Sequence, residues 1–389
     1  MIGLICSDNI CIEENTGWLV SIKANALFKI DMEEEKCEYI THFPDFKYPD
    51  FRRNPRCLKC DDVIYAFPDT GDRIWIYNLC NQETSSIEIE NPSNVRLLFC
   101  AFWRVKDNIY TLSLGLARLL VINIKRQEIT NFYKIPVDKE FSYMNCVKKD
   151  DKIIIIAKNS IYEFDIELKT WEINTISEID DELSTIAYNE GLYYLTGFKK
   201  EIYIWNKKQN VLKRIQNFPK SFGEYNFSPK ITKEIDYEKM RFNYPVFSKS
   251  IESKRYIWFI PFQANHILYL DKETQEINIF EIKDEDENLN TLTRGMAGKY
   301  LALYSKPNEI LGLYSHKCKM LLEINMESLI WKYKNITLNI EKFGEIMADN
   351  GCIWWESELD LCDFLQVCKN SDNIEINKEN VGDKIHIAI

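Results

Sequence analysis

The run Asn159-Ser-Ile-Tyr-Glu-Phe-Asp165 sets an apolar-x-apolar pair, Tyr162 and Phe164, directly before a carboxylate. That spacing is the period of a β-strand. An Asp just past a strand folds a tight turn by accepting backbone N–H groups on its side chain. Working outward, Lys152 to Ala157 is a second strand-like run with four consecutive Ile, Trp171 to Ile176 is another, and Met144 to Val147 is a weaker one upstream. Four such runs joined by short polar turns make one antiparallel unit.

The closing pattern recurs along the chain. It ends at Asp31 (Phe28, Ile30), Asn78 (Trp75, Tyr77), Asn123 (Leu120, Ile122), Asp165, Asn206 (Tyr203, Trp205), Asp271 (Leu268, Leu270) and Asn325 (Leu322, Ile324). The steps between these polar residues are 47, 45, 42, 41, 65 and 54. A second strand is expected before each closing run: Gly17 to Ile22, Asp62 to Phe67, Asn108 to Leu112, Lys152 to Ala157, Gly191 to Thr196, Tyr256 to Ile260 and Tyr300 to Tyr304. A fourth strand is expected after it, as in Cys37 to Phe43 and Glu128 to Ile135.

A repeat of this length signals an array of small sheets. Seven four-stranded antiparallel units with short turns define an all-β fold, a β-propeller, whose radial packing protects strand edges. A solenoid would need shorter coils, and a sandwich would not repeat at this length. The expected ring spans 1–340, with an insertion at 220–244 between blades five and six that accounts for the step of 65. A closing extension at 341–389 carries a capping box at Ser357 to Asp360 and a short C-terminal helix from Leu361. An eighth blade built from 345–389 is the rival reading, and Met1 to Cys6 is a candidate closing strand.

The blade pattern resembles the kelch-like and WD-repeat propellers. It lacks the Gly-Gly doublet of kelch units and the Trp-Asp dipeptide of WD units. It is most similar to bacterial seven-bladed propellers of uncharacterised function, whose units read as Asn25-Ala-Leu-Phe-Lys-Ile-Asp31 and Asn159 to Asp165 do here. The resemblance covers about residues 10 to 336 and implies a fold, since propellers host binding modules, lyases, hydrolases and scaffolds alike.

The chain of 389 residues has a net charge of -11, which disfavours nucleic acid as a partner. No apolar stretch is long enough to span a membrane. The 12 Cys sit mostly inside strand-like runs, as small hydrophobes do, and no signal peptide is recognisable at Met1 to Asp8. The expectation is free thiols in a reducing cytoplasm.

Signatures of chemistry are scarce. The four His (His42, His266, His316, His386) share no metal-ligand spacing, although His266 and His316 stand on loops of successive units. Cys57-x-x-Cys60 is a lone pair; on a strand its thiols point to opposite faces. The acidic run Asp284 to Glu287 reads as a solvated turn, and Trp354-Trp355 as core. No nucleophile elbow, phosphate loop or zinc-protease motif occurs, and neither cofactor nor metal is expected.

One pattern remains. Loops between second and third strands share a face with the connections between units. They carry Lys23, Asn25, Arg73, Arg118, Lys158, Asn159, Lys199, Lys200, Asn265, His266 and Lys306, with Arg52 and Arg53 on a connection. Cations gathered on one face of an acidic protein suit an acidic protein or peptide partner, or an anionic small molecule. The expected function is non-catalytic recognition on that face. The alternatives are a lyase or hydrolase at the channel mouth, with His266 as general base, and a scaffold subunit using the insertion and tail.

Overall fold

The computed structural model describes residues 7, 9–21, 25–44, 56–91, 95–137, 145–223, 245–262, 264–282, 300–306, 309–315, 318 and 320–338. Their strands form seven four-stranded antiparallel sheets, each laid down in chain order. Blade one is β1 (Cys11–Glu13), β2 (Thr16–Val20), β3 (Ala26–Asp31) and β4 (Lys36–His42). Blade two is β5 (Arg56–Cys60), β6 (Val63–Phe67), β7 (Arg73–Asn78) and β8 (Thr84–Glu88). Blade three is β9 (Phe99–Val105), β10 (Asn108–Ser113), β11 (Arg118–Asn123) and β12 (Glu128–Lys134). Blade four is β13 (Asn145–Lys149), β14 (Lys152–Ala157), β15 (Ser160–Asp165) and β16 (Thr170–Thr175). Blade five is β17 (Leu183–Asn189), β18 (Leu192–Gly197), β19 (Ile202–Asn206) and β20 (Val211–Ile215). Blade six is β21 (Phe247–Glu252), β22 (Tyr256–Pro261), β23 (Ile267–Asp271) and β24 (Ile277–Phe280). Blade seven is β25 (Tyr300–Lys306), β26 (Ile310–Ser315), β27 (Met320–Asn325) and β28 (Trp331–Lys334).

Each space between neighbouring blades holds its own hydrophobic cluster, and the seven clusters close the circle. A strand in such a ring is covered on both faces, so its buried stretch is apolar throughout. β14 shows this: Ile153 and Ile155 pack toward blade three, Ile154 and Ile156 toward blade five. Burying each such side chain contributes roughly 1.5–3 kcal/mol. Cys57 and Cys60 obey the same alternation, Cys57 facing blade one and Cys60 facing blade three.

All seven closing Asp and Asn cap the turn after the third strand. Asp165 Oδ1 accepts the N–H groups of Glu167 (2.9 Å) and Leu168 (2.8 Å), and Asn78 Oδ1 those of Cys80 (2.9 Å) and Asn81 (3.3 Å). Asp31, Asn123, Asn206, Asp271 and Asn325 do the same. Four residues past each cap the backbone turns left-handed, at φ between 52° and 60°, as the return into the fourth strand requires.

The ring is joined at two places. The Ile10 N–H donates to Leu303 O of β25 at 3.0 Å. A short strand β29 (Thr337–Leu338) runs parallel to β4, pairing Thr337 with Lys36 and Leu338 with Cys37. Lys334 Nζ secures this junction by donating to Met32 O at 2.5 Å.

Blade seven corrects one expectation. Tyr300 to Tyr304 belongs to the first strand, β25, and the second is β26. Lys306 therefore lies at the opposite face from the loops it was grouped with, donating to Glu14 O at 3.5 Å. Residues 1–6, most of the 220–244 insertion, the acidic run 284–287, and everything after 338, including the expected helix, Trp354-Trp355 and the rival eighth blade, lie outside the described residues.

Candidate functional site

Antiparallel strands alternate direction, so loops between second and third strands emerge on the face that also carries the connections between blades. Lys23, Arg52, Arg53, His316 and His386 lie outside the described residues. Asn25 is buried and left-handed (φ 46°); its carbonyl accepts the Phe43 N–H at 2.9 Å and its amide donates to Phe43 O at 3.4 Å. Asn159 pins Ile176 in the same way. Asp72 and Ala117 offer the equivalent carbonyls in blades two and three, so in blades one to four this position fastens the loop to the next connection whatever its side chain.

The cations differ in how far they are neutralised. Lys199 Nζ lies 2.7 Å from Asp180, and Arg73 Nε 3.7 Å from Asp72. Arg118 lies over the Phe132 ring at 4.5 Å. Lys158 is exposed at a two-residue turn. Lys200 donates to Phe222 O at 3.0 Å and lies over the Phe218 and Phe222 rings. Asn265 accepts the Gly223 N–H (2.9 Å) and donates to Ser221 O (2.8 Å), which clamps the root of the insertion onto this face. Half-buried His266 precedes β23, the third strand outward from the axis.

The groups that converge at the axis are different ones. The first strand of each blade lines the channel, and Asn145 Nδ2 of blade four reaches Ser248 O of blade six at 3.5 Å, past blade five. Lys149 pairs with Glu252 across the same gap at 3.1 Å. The wall is therefore narrow on this side. At the loop end, Arg56 of β5 donates through Nη1 to Phe99 O of β9. Its charge reaches Cys100, Cys146 and Lys249. Lys249 of β21 is exposed to solvent on the channel wall, with protein surrounding it on the other sides. Burial pushes its ammonium below the usual lysine range, opposed by the Cys146 thiol and aided by repulsion from Arg56. No carboxylate acts on it among the described residues.

Thiols line the wall beside these cations. Cys11 (β1), Cys57 (β5), Cys100 (β9) and Cys146 (β13) stand on four successive first strands; Cys11 Sγ accepts the Lys59 N–H at 3.2 Å, Cys57 Sγ donates to Trp18 O at 3.4 Å and Cys100 Sγ to Leu112 O at 3.8 Å. In blades five and six hydroxyls take their place, with Thr185 Oγ1 2.5 Å from Ser250 Oγ and 2.6 Å from Thr196 Oγ1. Sequence reading treated the thiols as core hydrophobes and missed Arg56 and Lys249. The available signal was the period: the four Cys are separated by 46, 43 and 46 residues, the length of a blade.

Among the described residues no group of three or more His, Cys, Asp or Glu is placed to hold a metal, and no helix is long and apolar enough to cross a membrane. A cavity of 740 Å³ at the outer rim of blade one is lined by both signs of charge, Lys29, Lys36, Asp31 and Glu38 among them.

No protein-family model matches the chain, and no curated protein matches its sequence. Solved structures do resemble it. A catalytically inactive variant of virginiamycin B lyase from Staphylococcus aureus, with quinupristin, superposes with TM-score 0.55 at 12% identity, over 80% of this chain and 92% of that one. A computationally designed protein, Ika8, superposes with TM-score 0.54 at 8% identity, over 84% and 86%. At these identities the likeness is one of fold, and this chain is a seven-bladed β-propeller.

Proposed function

We propose that this chain is a non-catalytic recognition module, a propeller of the kelch-like or WD-like kind working in the cytoplasm. It takes an acidic segment of a protein or peptide partner, or an anionic small molecule, on its loop face. Lys249 carries this reading: a cation on the channel wall beside Arg56, with no carboxylate acting on it among the described residues. Holding two like charges together in a confined channel is unfavourable, and an anion seated at the mouth offsets that cost. Asn25, Lys158, Asn159, Asn265 and His266 shape the surrounding loops, with Arg73, Arg118 and Lys199 as the outer cations.

The lyase or hydrolase alternative needs His266 beside a cation at the mouth. His266 precedes the third strand of its blade, and the described first strands at the axis carry Arg56, Lys249, the Lys149–Glu252 pair, Asn145 and thiols. The scaffold alternative rests on the insertion and the tail.

The test is affinity capture from a lysate of the native source, with mass spectrometry of retained proteins and small molecules, comparing wild type with Arg56→Gln/Lys249→Glu. The retained partner or anion should be lost by at least about tenfold in the variant, as expected for reversing a charge at an interface. Reversing Arg73 and Arg118 should weaken binding less, because each already has a local partner. Equal capture by wild type and the channel variant would sink the reading.

A further inference from the structure

The outer edges of the blades are not alike. An open sheet edge offers unpaired N–H and C=O groups to any passing strand, and proteins blunt such edges with covering segments, bulges, charged side chains or short length. Among the described residues, six of the seven outer strands carry such a device. β4 is covered by β29. β8 shows only Thr84, Ser85 and Glu88 to solvent. β12 is bulged at Thr130, since Ile129 and Asn131 pair with the consecutive residues Ile122 and Val121, and it ends in Lys134. β20 holds Lys213 and Arg214 side by side. β24 and β28 are four residues long, and β28 carries Lys332 and Lys334. The exposed Phe132 and Val211 thus lie on guarded strands, β12 and β20.

β16 has none of these devices. It is six residues long, pairs with β15 without a register shift, holds no basic residue and ends its sheet. Its Ile173 is 49% exposed, and Leu168 in the turn before it is 72% exposed. Its only charge, Glu172, is neutralised by Lys207 of blade five at 2.7 Å.

We propose that β16 pairs antiparallel with β16 of a second copy of this chain, across a two-fold axis at Ile173, joining the two fourth blades into one continuous sheet. The register follows from the backbone. The Ile176 N–H donates to Asn159 O, and antiparallel pairing alternates, so Asn174, Glu172 and Thr170 turn their peptide groups toward β15. Trp171, Ile173 and Thr175 turn theirs outward. With Ile173 on the axis these residues meet their counterparts: Ile173 faces Ile173, and Trp171 faces Thr175 on either side. An apolar pair at the centre, flanked by aromatic and β-branched pairs, is a favourable cross-strand set. On the other face Glu172 falls opposite Asn174, so no like charges meet; Asn174 already donates to Glu172 within its own strand at 3.5 Å. A parallel pairing in register would instead set Glu172 against Glu172. The strand is therefore its own antiparallel complement, which is why the partner is a second copy.

A single strand pair is smaller than a stable interface, so the dimer is weak and depends on concentration. Antiparallel pairing points the two loop faces in opposite directions, and the contact lies on the outer rim, away from the channel.

The experiment is sedimentation velocity of the full chain under reducing conditions, from low micromolar to near-millimolar concentration. The wild type should pass reversibly from monomer to dimer. Ile173→Lys sets two ammonium groups face to face on the axis and should raise the dimer Kd by about tenfold or more. Its melting temperature, taken at low concentration, should match the wild type, because the side chain is exposed. Ile173→Glu should behave in the same way. An equimolar mixture of the two variants should dimerise again, since each lysine then faces a glutamate; only pairing through residue 173 on both sides gives that rescue. A wild type that stays monomeric throughout would overturn the proposal and leave the edge to a strand of a different protein. A dimer that survives Ile173→Lys would overturn it as well. Arg56→Gln/Lys249→Glu should dimerise as the wild type does, which keeps this result separate from anion recognition.

Discussion

On the turn face, every third strand ends in an Asp or Asn that accepts backbone N–H groups, and every turn has a left-handed residue four places on. On the loop face, the connections differ from blade to blade. Loops between second and third strands run from two residues at 158–159 to five at 21–25, and blade connections from seven residues at 176–182 to thirty-one at 216–246. The turn face repeats because its job is the same each time: reverse the chain within one sheet. The loop face varies because its backbone is pinned by a few contacts that differ in number and place from loop to loop, which leaves side chains and lengths free to differ. A rigid repeated frame with one variable face is how scaffolds present binding groups.

Three changes would break or sharpen this contrast. The largest effect is expected from Gly115→Ala, on the loop face. A Cβ at Gly115 would stand 1.7 Å from the carbonyl oxygen of Arg96, a backbone atom that cannot swing aside. About 3 kcal/mol of stability should be lost in urea unfolding, at the upper end for overpacking. A loss under 1 kcal/mol would mean that the loop face yields more easily than its packing implies.

The next is Glu163→Gln, between the faces. Glu163 is buried, bonded to Lys152 (2.8 Å), Lys207 (2.7 Å) and the Tyr193 hydroxyl (2.6 Å), and so ties blade four to blade five. Burial pushes its carboxyl up, but the three hydrogen bonds outweigh burial and hold it below the usual glutamate range. A depressed carboxyl stabilises the fold fully above its unfolded value and loses that contribution as pH falls through the folded value. Glu323, bonded to Tyr304 and Lys334, acts in the same direction at blade seven. The substitution should cost about 2 kcal/mol near neutral pH. The cost should shrink as pH drops below the ordinary glutamate range. A pH-independent difference between variant and wild type would remove the charge from the explanation.

The smallest effect belongs to the turn face. Asn78→Ala removes the acceptor for Cys80 and Asn81 and should cost about 1 kcal/mol, because the freed N–H groups meet water. Thermal unfolding measures it. A cost as large as that of Gly115→Ala would show that one cap nucleates the whole blade.

Legibility from sequence followed burial. The second and third strands are covered on both faces by neighbouring blades, so they announce themselves as apolar runs, and the seven caps mark their ends. First strands border the channel and are less apolar; β13, Asn-Cys-Val-Lys-Lys, is half-buried throughout. Blade seven was misaligned because its first strand, Tyr300–Lys306, is apolar enough to pass for a second strand. That one shift carried Lys306 to the wrong face. The binding candidates suffered from a different blindness. Asn25 and Asn159 look like ligand groups in a list of loop residues, yet their amides donate to backbone carbonyls of the following connections, Phe43 O and Ile176 O.

By itself the sequence determined the repeat, the strands of blades one to six, the capped turns and the face on which the loops emerge, because these depend on residues a few places apart. Only the tertiary structure decided what meets in the channel. Arg56 and Lys249 are 193 residues apart, and Cys100 and Cys146 a full blade apart. Closing the ring brings first strands together around one axis, where two like charges and two thiols share an enclosed space that no local pattern encodes.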